Sequence, residues 1–147
     1  MINKIIDSIS ISIHSEFGDE YEIYTESLKQ GLKEPCFFIF CLNPTNNLFR
    51  NNKYFRTNQF CIQYFPSTRE PKAECNDVLE RLYGCLELIT IKENETTESL
   101  TRGSRMNGEI VDGVLSFFVN YDMFVYRVEE PGENMEDLNV KTDAKGW

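Results

Sequence analysis

His14 is the one histidine in the sequence, so acid–base chemistry would have to run through it or through carboxylates. A general acid–base site needs a second group within hydrogen-bond reach. His14 follows Ile13 at the edge of an apolar stripe, and no second imidazole can share a metal or relay a proton with it. A hydrolase pairing His14 with one of the many serines has no support in the spacing. The cysteines, Cys36, Cys41, Cys61, Cys75 and Cys85, are odd in number and contain no CxxC pair. Zinc asks for clustered Cys and His ligands, whereas Cys36 and Cys41 differ by an odd number along a strand and point to opposite faces. They read as reduced core hydrophobes, not a disulfide framework. "GSRMNG" (Gly103 to Gly108) imitates the glycine spacing of a phosphate loop. It lacks the Lys-Ser/Thr ending and precedes a strand, so it carries no phosphate chemistry. Asn94-Glu95-Thr96 matches a glycosylation sequon, without consequence for a cytosolic chain. Acid pairs such as Asp19/Glu20 and Glu129/Glu130 fall at element ends or in the tail, where solvated charge is the default. The expectation is no catalytic residue, no cofactor and no metal: a protein whose function is a surface.

One stretch suggests where that surface lies. Leu48 to Phe65, "LFRNNKYFRTNQFCIQYF", opens on an Asn-rich turn and sets Arg50, Lys53 and Arg56 close together. The whole chain carries a net charge of -9, so its overall field repels polyanions and disfavours sequence-specific nucleic-acid binding. A soluble protein partner fits better. Apolar runs such as "CFFIFCL" are too short to span a bilayer. The N-terminus has only Lys4 near its start, an interrupted apolar region and no cleavage site. The expected location is the cytosol where the chain is made.

The elements that must position these residues follow from periodicity. Forty-one per cent apolar and 13% aromatic content over 147 residues describes one globular domain. Ile2, Ile5, Ile6, Ile9, Ile13 and Phe17 recur at helical spacing, which predicts a helix over 2–17 ending at Gly18. "YEIYTE" (Tyr21 to Glu26) reads as a short strand, and "LKQGLKEP" as a turn around Gly31. Cys36 to Leu42 is apolar on both faces, as in a central strand covered on both sides, with "NPTNN" ending it. Tyr54 to Phe65 is a half-buried antiparallel partner. Tyr54, Phe60, Ile62 and Tyr64 share one parity, joined by Arg56 and Asn58 at an outer end that extends past the core as a hairpin arm.

"EPKAECNDVLERLYGCLELI" is a second helix whose stripe is Val78, Leu82, Cys85, Leu86 and Ile89. Asp77 and Arg81 form an i,i+4 pair on it, and Glu74, Asp77, Glu80 and Glu87 read as its solvated face. Gly84 lowers helix propensity and allows close packing there. After the acidic loop "KENETTES", Asp112-Gly113 signals a two-residue hairpin. Val114 to Val128 is then a long strand with a kink at Asn120-Tyr121-Asp122. From Glu129, six acids against two lysines without periodicity predict a flexible acidic tail over 129–147, after a single domain over 1–128. The expected core includes Ile9, Phe38, Ile62, Leu82 and Phe118. The fold class is α+β: one mainly antiparallel sheet with two helices on one face, in the order α-β-β-β-α-β-β, with a projecting hairpin arm.

"EPCFFIFCLNPTNNLFRNNKYFRTNQFCIQYFP", then a Cys- and Leu-bearing helix, then "EIVDGVLSFFVNYDMFVY" resembles the tail terminator proteins of phages and prophages of Gram-positive bacteria, over roughly Met1 to Val128. The resemblance implies a small non-enzymatic structural protein, made in the host cytoplasm and built into the virion tail. It implies a ring, typically hexameric, that caps the head-proximal end of the tail tube and ends its polymerisation. The implied partners are copies of itself, the tube protein and a head-completion or connector protein, with no membrane. A ring needs a heterologous interface, for which Arg50, Lys53, Tyr54 and Arg56 on the arm are the candidate subunit or tube contacts. The competing readings are a monomeric adaptor of the head–tail connector and a small enzyme with dispersed site residues.

Overall fold

Apolar side chains at every fourth position can share only one side of a helix. In the computed structural model, α1 (Ile2–Phe17) buries Ile5, Ile9, Ile13 and Phe17 on that side. It stops at Gly18, where φ is 89° and the amide donates to the His14 carbonyl; glycine adopts this left-handed geometry without steric cost. The structure describes residues 1–25, 31, 33–129 and 138–143, with backbone alone for 129 and 138–143. Most of the expected turn around Gly31, and residues 130–137 and 144–147 of the expected tail, lie outside the described residues.

β1 (Glu22–Tyr24) runs parallel to β2 (Cys36–Arg50), which pairs antiparallel with β3 (Lys53–Phe65). α2 (Pro71–Cys85) follows, then a separate hairpin of β4 (Leu88–Lys92) and β5 (Glu98–Arg102). β6 (Ser104–Val111) turns at Asp112 and Gly113, φ 52° and 76°, into β7 (Val114–Asn120). Positive φ at both positions matches the twist of paired strands, as the Asp-Gly signal anticipates. β8 (Met123–Glu129) continues from β7 after the expected kink, and β9 (Leu138–Asp143) lies antiparallel along β8, within the stretch read as a tail. The fold is α+β in the expected order, with the β4–β5 hairpin as an addition and the last long strand divided in two.

β3 is the spine of the main sheet. Its inner part pairs with β7 and its outer end with β8. One face meets both helices: Phe37, Ile39, Phe60, Ile62, Tyr64, Leu115, Phe117 and Val119 pack there with Ile5, Ile9, Val78 and Leu82. That register corrects two expected core residues. Ile9, Ile62 and Leu82 are fully buried, but Phe38 and Phe118 lie on the opposite face, half-buried, and their neighbours Phe37 and Phe117 fill the core. In "CFFIF" and "SFFVN" both parities are apolar, so alternation alone cannot choose between them. Among the described residues, helices cover β2 on one side alone.

Other expectations give way for local reasons. "NPTNN" does not end β2, which absorbs Asn43 and Pro44 as a bulge between Leu42 and Thr45 and turns only at Asn51-Asn52. Ile89 belongs to β4, because "LITIK" alternates with Ile89 and Ile91 buried. Arg81 bonds Glu16 of α1 at 3.1 Å and stacks on Phe17, so its ion pair is between helices and not with Asp77. Around Gly84 nothing lies within 4 Å of where a side chain would begin, so it serves no close packing.

Glu74 is not simply solvated. Its carboxylate accepts from the Tyr64 hydroxyl at 2.5 Å and from the Ser67 and Thr68 amides at 3.0 and 3.2 Å. Burial alone would raise its pKa, but these hydrogen bonds outweigh that effect and hold it below the ordinary value. A carboxyl depressed in the folded state stabilises above its unfolded pKa, and that contribution disappears as pH falls through the folded pKa. Glu74→Gln is expected to lower stability at pH 7 and to flatten the loss of stability below about pH 4.5, read by urea unfolding across pH. The register makes a second expectation: Phe117→Ala should cost about 3–5 kcal/mol and Phe118→Ala distinctly less, by the same measurement.

Candidate assembly surface

The arm begins where both neighbours of β3 change at one level. β2 bulges opposite Asn58, and β7 gives way to β8 there. Asn58 is fully buried; its Nδ2 donates to the Tyr121 carbonyl at 3.0 Å, and its own carbonyl accepts from the Tyr121 amide at 2.9 Å. Its amide donates to Asp122 Oδ1 at 3.2 Å. Tyr121, also fully buried, donates its hydroxyl to the Leu86 carbonyl at 2.6 Å, tying this junction to the end of α2. Past the junction, the Thr45 and Thr57 hydroxyls meet across β2 and β3. β8 flanks the arm, and Arg127 and Asn52 bond each other's backbone at its turn. The arm hairpin of β2 and β3 thus sits in a four-stranded extension of the sheet, in the order β2-β3-β8-β9.

The four candidate interface residues are not one cluster. Arg50 is exposed near the turn. Lys53 lies on the helix-free face, its Nζ 4.2 Å from the Phe124 ring centre and 5.3 Å from that of Tyr126, cation–π distances that place its charge among aromatics. Tyr54 faces the other way, its hydroxyl accepting from Arg127 at 3.2 Å. Arg56 shares Tyr54's face and tucks beneath the sheet: its Nε is buried. Burial, then the charges of Arg56 and Lys4, lower the pKa of the Met1 amino group, and the same arginine opposes the burial that raises the Cys41 thiol. Arg56 is a residue of the junction. Arg50 and Lys53 belong to the accessible arm.

Side chains at the arm's end and along the helix-free face complete the surface. Leu48 and Phe49 are 62% and 60% exposed. Phe49 and Phe55 pack edge or tilted on Phe124, with ring centres 5.1 and 5.0 Å away. Farther in, half-buried Phe38, Phe40 and Phe118 continue the aromatic band. No described helix covers it. From Cys36 to Phe65 there is no aspartate or glutamate, against the three cations. That acid-free run was readable in the sequence, as was the adjacent pair Leu48-Phe49. The aromatic band was not, because its members come from four strands.

Burial pushes the Cys36 and Cys61 thiols up to about 11 and Cys85 to about 12, keeping them protonated at neutral pH. His14 bonds Asp19 at 2.6 Å in the open. Among the described residues no three His, Cys, Asp or Glu side chains converge as metal ligands, and no described helix is long and apolar enough to cross a membrane.

Residues 4–133 match a protein-family model described as phage tail terminator protein. No curated protein matches the chain.

The positions of the cations sort them by role. Arg56→Glu is expected to cost about 1–3 kcal/mol, since it replaces a half-buried side chain whose Nε is out of water with a shorter one of opposite charge. Arg50→Glu should change stability by no more than about 0.5 kcal/mol. Thermal midpoints of the two variants test the assignment.

Proposed function

The chain belongs to the phage tail terminator family, and on that premise we propose that it closes with copies of itself into a ring on the head-proximal end of the tail tube. The ring ends tube polymerisation and presents a joining surface to a head-completion or connector protein. Residues 1–128 carry this role, with the acidic segment 129–147 contributing β9 (Leu138–Asp143) beside β8. The observation that carries the reading is the β2–β3 hairpin of the arm: an acid-free, cationic stretch from Cys36 to Phe65 with exposed Leu48 and Phe49, on a chain whose net charge is -9. Closed rings need one patch to meet a different patch on the neighbour. A cationic arm on an acidic body supplies unlike patches in a single chain, and its charges would set orientation more than affinity.

A structural role of this kind asks for apolar area open in the isolated subunit, since monomers rarely expose large contiguous patches without a purpose. The helix-free aromatic band and the arm's end are such area. Contact with the tube or with the next subunit would cover side chains that are now half-buried.

The double variant Arg50→Glu/Lys53→Glu is expected to fold normally but to cap tails poorly, so that electron microscopy of assembled tails shows overlong tubes. Light scattering of the protein with and without tube should give a multiple of the chain mass for the wild type. Normal tail lengths with the variant, together with a single copy of the wild type per tail, would sink the ring reading.

A further inference from the structure

Beside the arm, the helix side of the molecule carries a second exposed apolar site. A groove of about 300 Å³ runs between α1 and β4, lined by Ser8, Ile11, Ser12, Ser15, Cys85 and Leu88 among others. Ile11 is 64% exposed and Leu88 43%. Leu100, paired diagonally to Leu88 across the β4–β5 hairpin, extends the same outward surface and is 59% exposed. The three serines keep the α1 wall low, so the groove is open to a side chain from outside. Among the described residues, the exposed large hydrophobics fall into this group, the arm's Leu48 and Phe49, and Val111 beside the β6–β7 turn.

Two such groups on one chain, a projecting pair and a recess, are the parts of a heterologous contact. Their charges complement each other. The arm strands from Cys36 to Phe65 bear only cations, whereas the β4–β5 hairpin, Leu88 to Arg102, bears Glu93, Glu95 and Glu98 against Lys92 and Arg102, and Arg102 is held by Glu87 at 2.9 Å. Glu16, which also lines the groove, is held by Arg81 at 3.1 Å. A copy of this chain therefore fits the groove better than an acidic partner would.

We propose that Leu48 and Phe49 at the arm end of one copy seat in the α1–β4 groove of the next copy, with Arg50 and Lys53 alongside the acidic β4–β5 hairpin. This deepens the ring reading and rests on it. It also assigns the two halves of the contact: the arm reaches out, and the helix side receives. The aromatic band of the sheet is left for the tube or the head-side partner.

The test places photoreactive benzoylphenylalanine at position 49 and mixes isotopically heavy and light copies in assembled tails. Mass spectrometry then locates the cross-links, and the copy number per tail is counted. Heavy–light cross-links to peptides spanning Ile11 to Glu16 or Cys85 to Thr90 are the expected result. Several copies per tail whose cross-links between copies fall elsewhere, or are missing, would overturn this seat while leaving the ring intact. One copy per tail would remove both. Independently, Leu88→Glu should weaken association between copies by roughly tenfold or more without shifting the thermal midpoint. Val111→Glu, exposed away from the groove, should leave association unchanged. Equal association of the Leu88→Glu variant and the wild type would also overturn the seat.

Discussion

The structure depends on β3 running from Lys53 to Phe65 without a break while each neighbour changes at Asn58. A strand that meets a bulge on one side and a change of partner on the other would have backbone donors and acceptors orphaned at that level, an expensive state inside a protein. Asn58 resolves this with its side-chain amide and both backbone groups, held to Tyr121 and Asp122. Below it, the sheet has a helix-covered face and behaves as an ordinary core. Above it, beyond Arg56 beside the start of α1, the same strand carries an arm that no described helix covers. Burial raises the pKa of Asp122, more than its hydrogen bonds lower it, a sign that the junction is partly closed to water.

The two faces of the sheet divide the aromatic residues into a buried set and a half-buried one. Phe37, Phe60, Phe117, Tyr64 and Tyr121 are buried against the helices, and the two tyrosines each find a hydrogen-bond partner at the helix layer. Tyrosine suits such places because its ring is apolar and its tip is not. Phe38, Phe40, Phe55 and Phe118 take the other face and shield one another only in part. Lys53 covers some of that apolar surface with its stem while its charge stays near the rings. The arrangement keeps an apolar band accessible, with a cation at its end, on a protein whose acidic remainder favours solubility.

For a family that builds the end of a tail, this division has a mechanical logic. The helix layer is braced by Arg81 to Glu16 between α1 and α2, and by the Glu74 network that ties the start of α2 to the end of β3. A rigid body of that kind can transmit orientation to an extension that shares its central strand. The contact surfaces proposed for it lie on the side of the sheet away from the described helices, at the arm's end, and in the groove on the helix side. Directional contacts from unlike patches are what a closed ring of identical subunits needs.

How much of this the sequence determined can be read residue by residue. Local periodicity was enough for α1, for the α2 stripe through Leu86, for the Asp-Gly hairpin and for the kink before Asp122, because each is decided by neighbours a few residues away. The acid-free run around Arg50, Lys53 and Arg56 was equally plain, since charge is a property of the residue itself. Tertiary structure alone chose between Phe37 and Phe38 and between Phe117 and Phe118, where both parities are apolar and only a helix docking on one face breaks the tie. It alone extended β2 through Asn43 and Pro44, because the pairing on β3 outweighs local turn preference. It also separated the three cations, sending Arg56 under the sheet and Lys53 over the aromatic rings. Which face a side chain takes is local; what covers that face is set by segments far away in the chain, and no spacing within one segment carries that information.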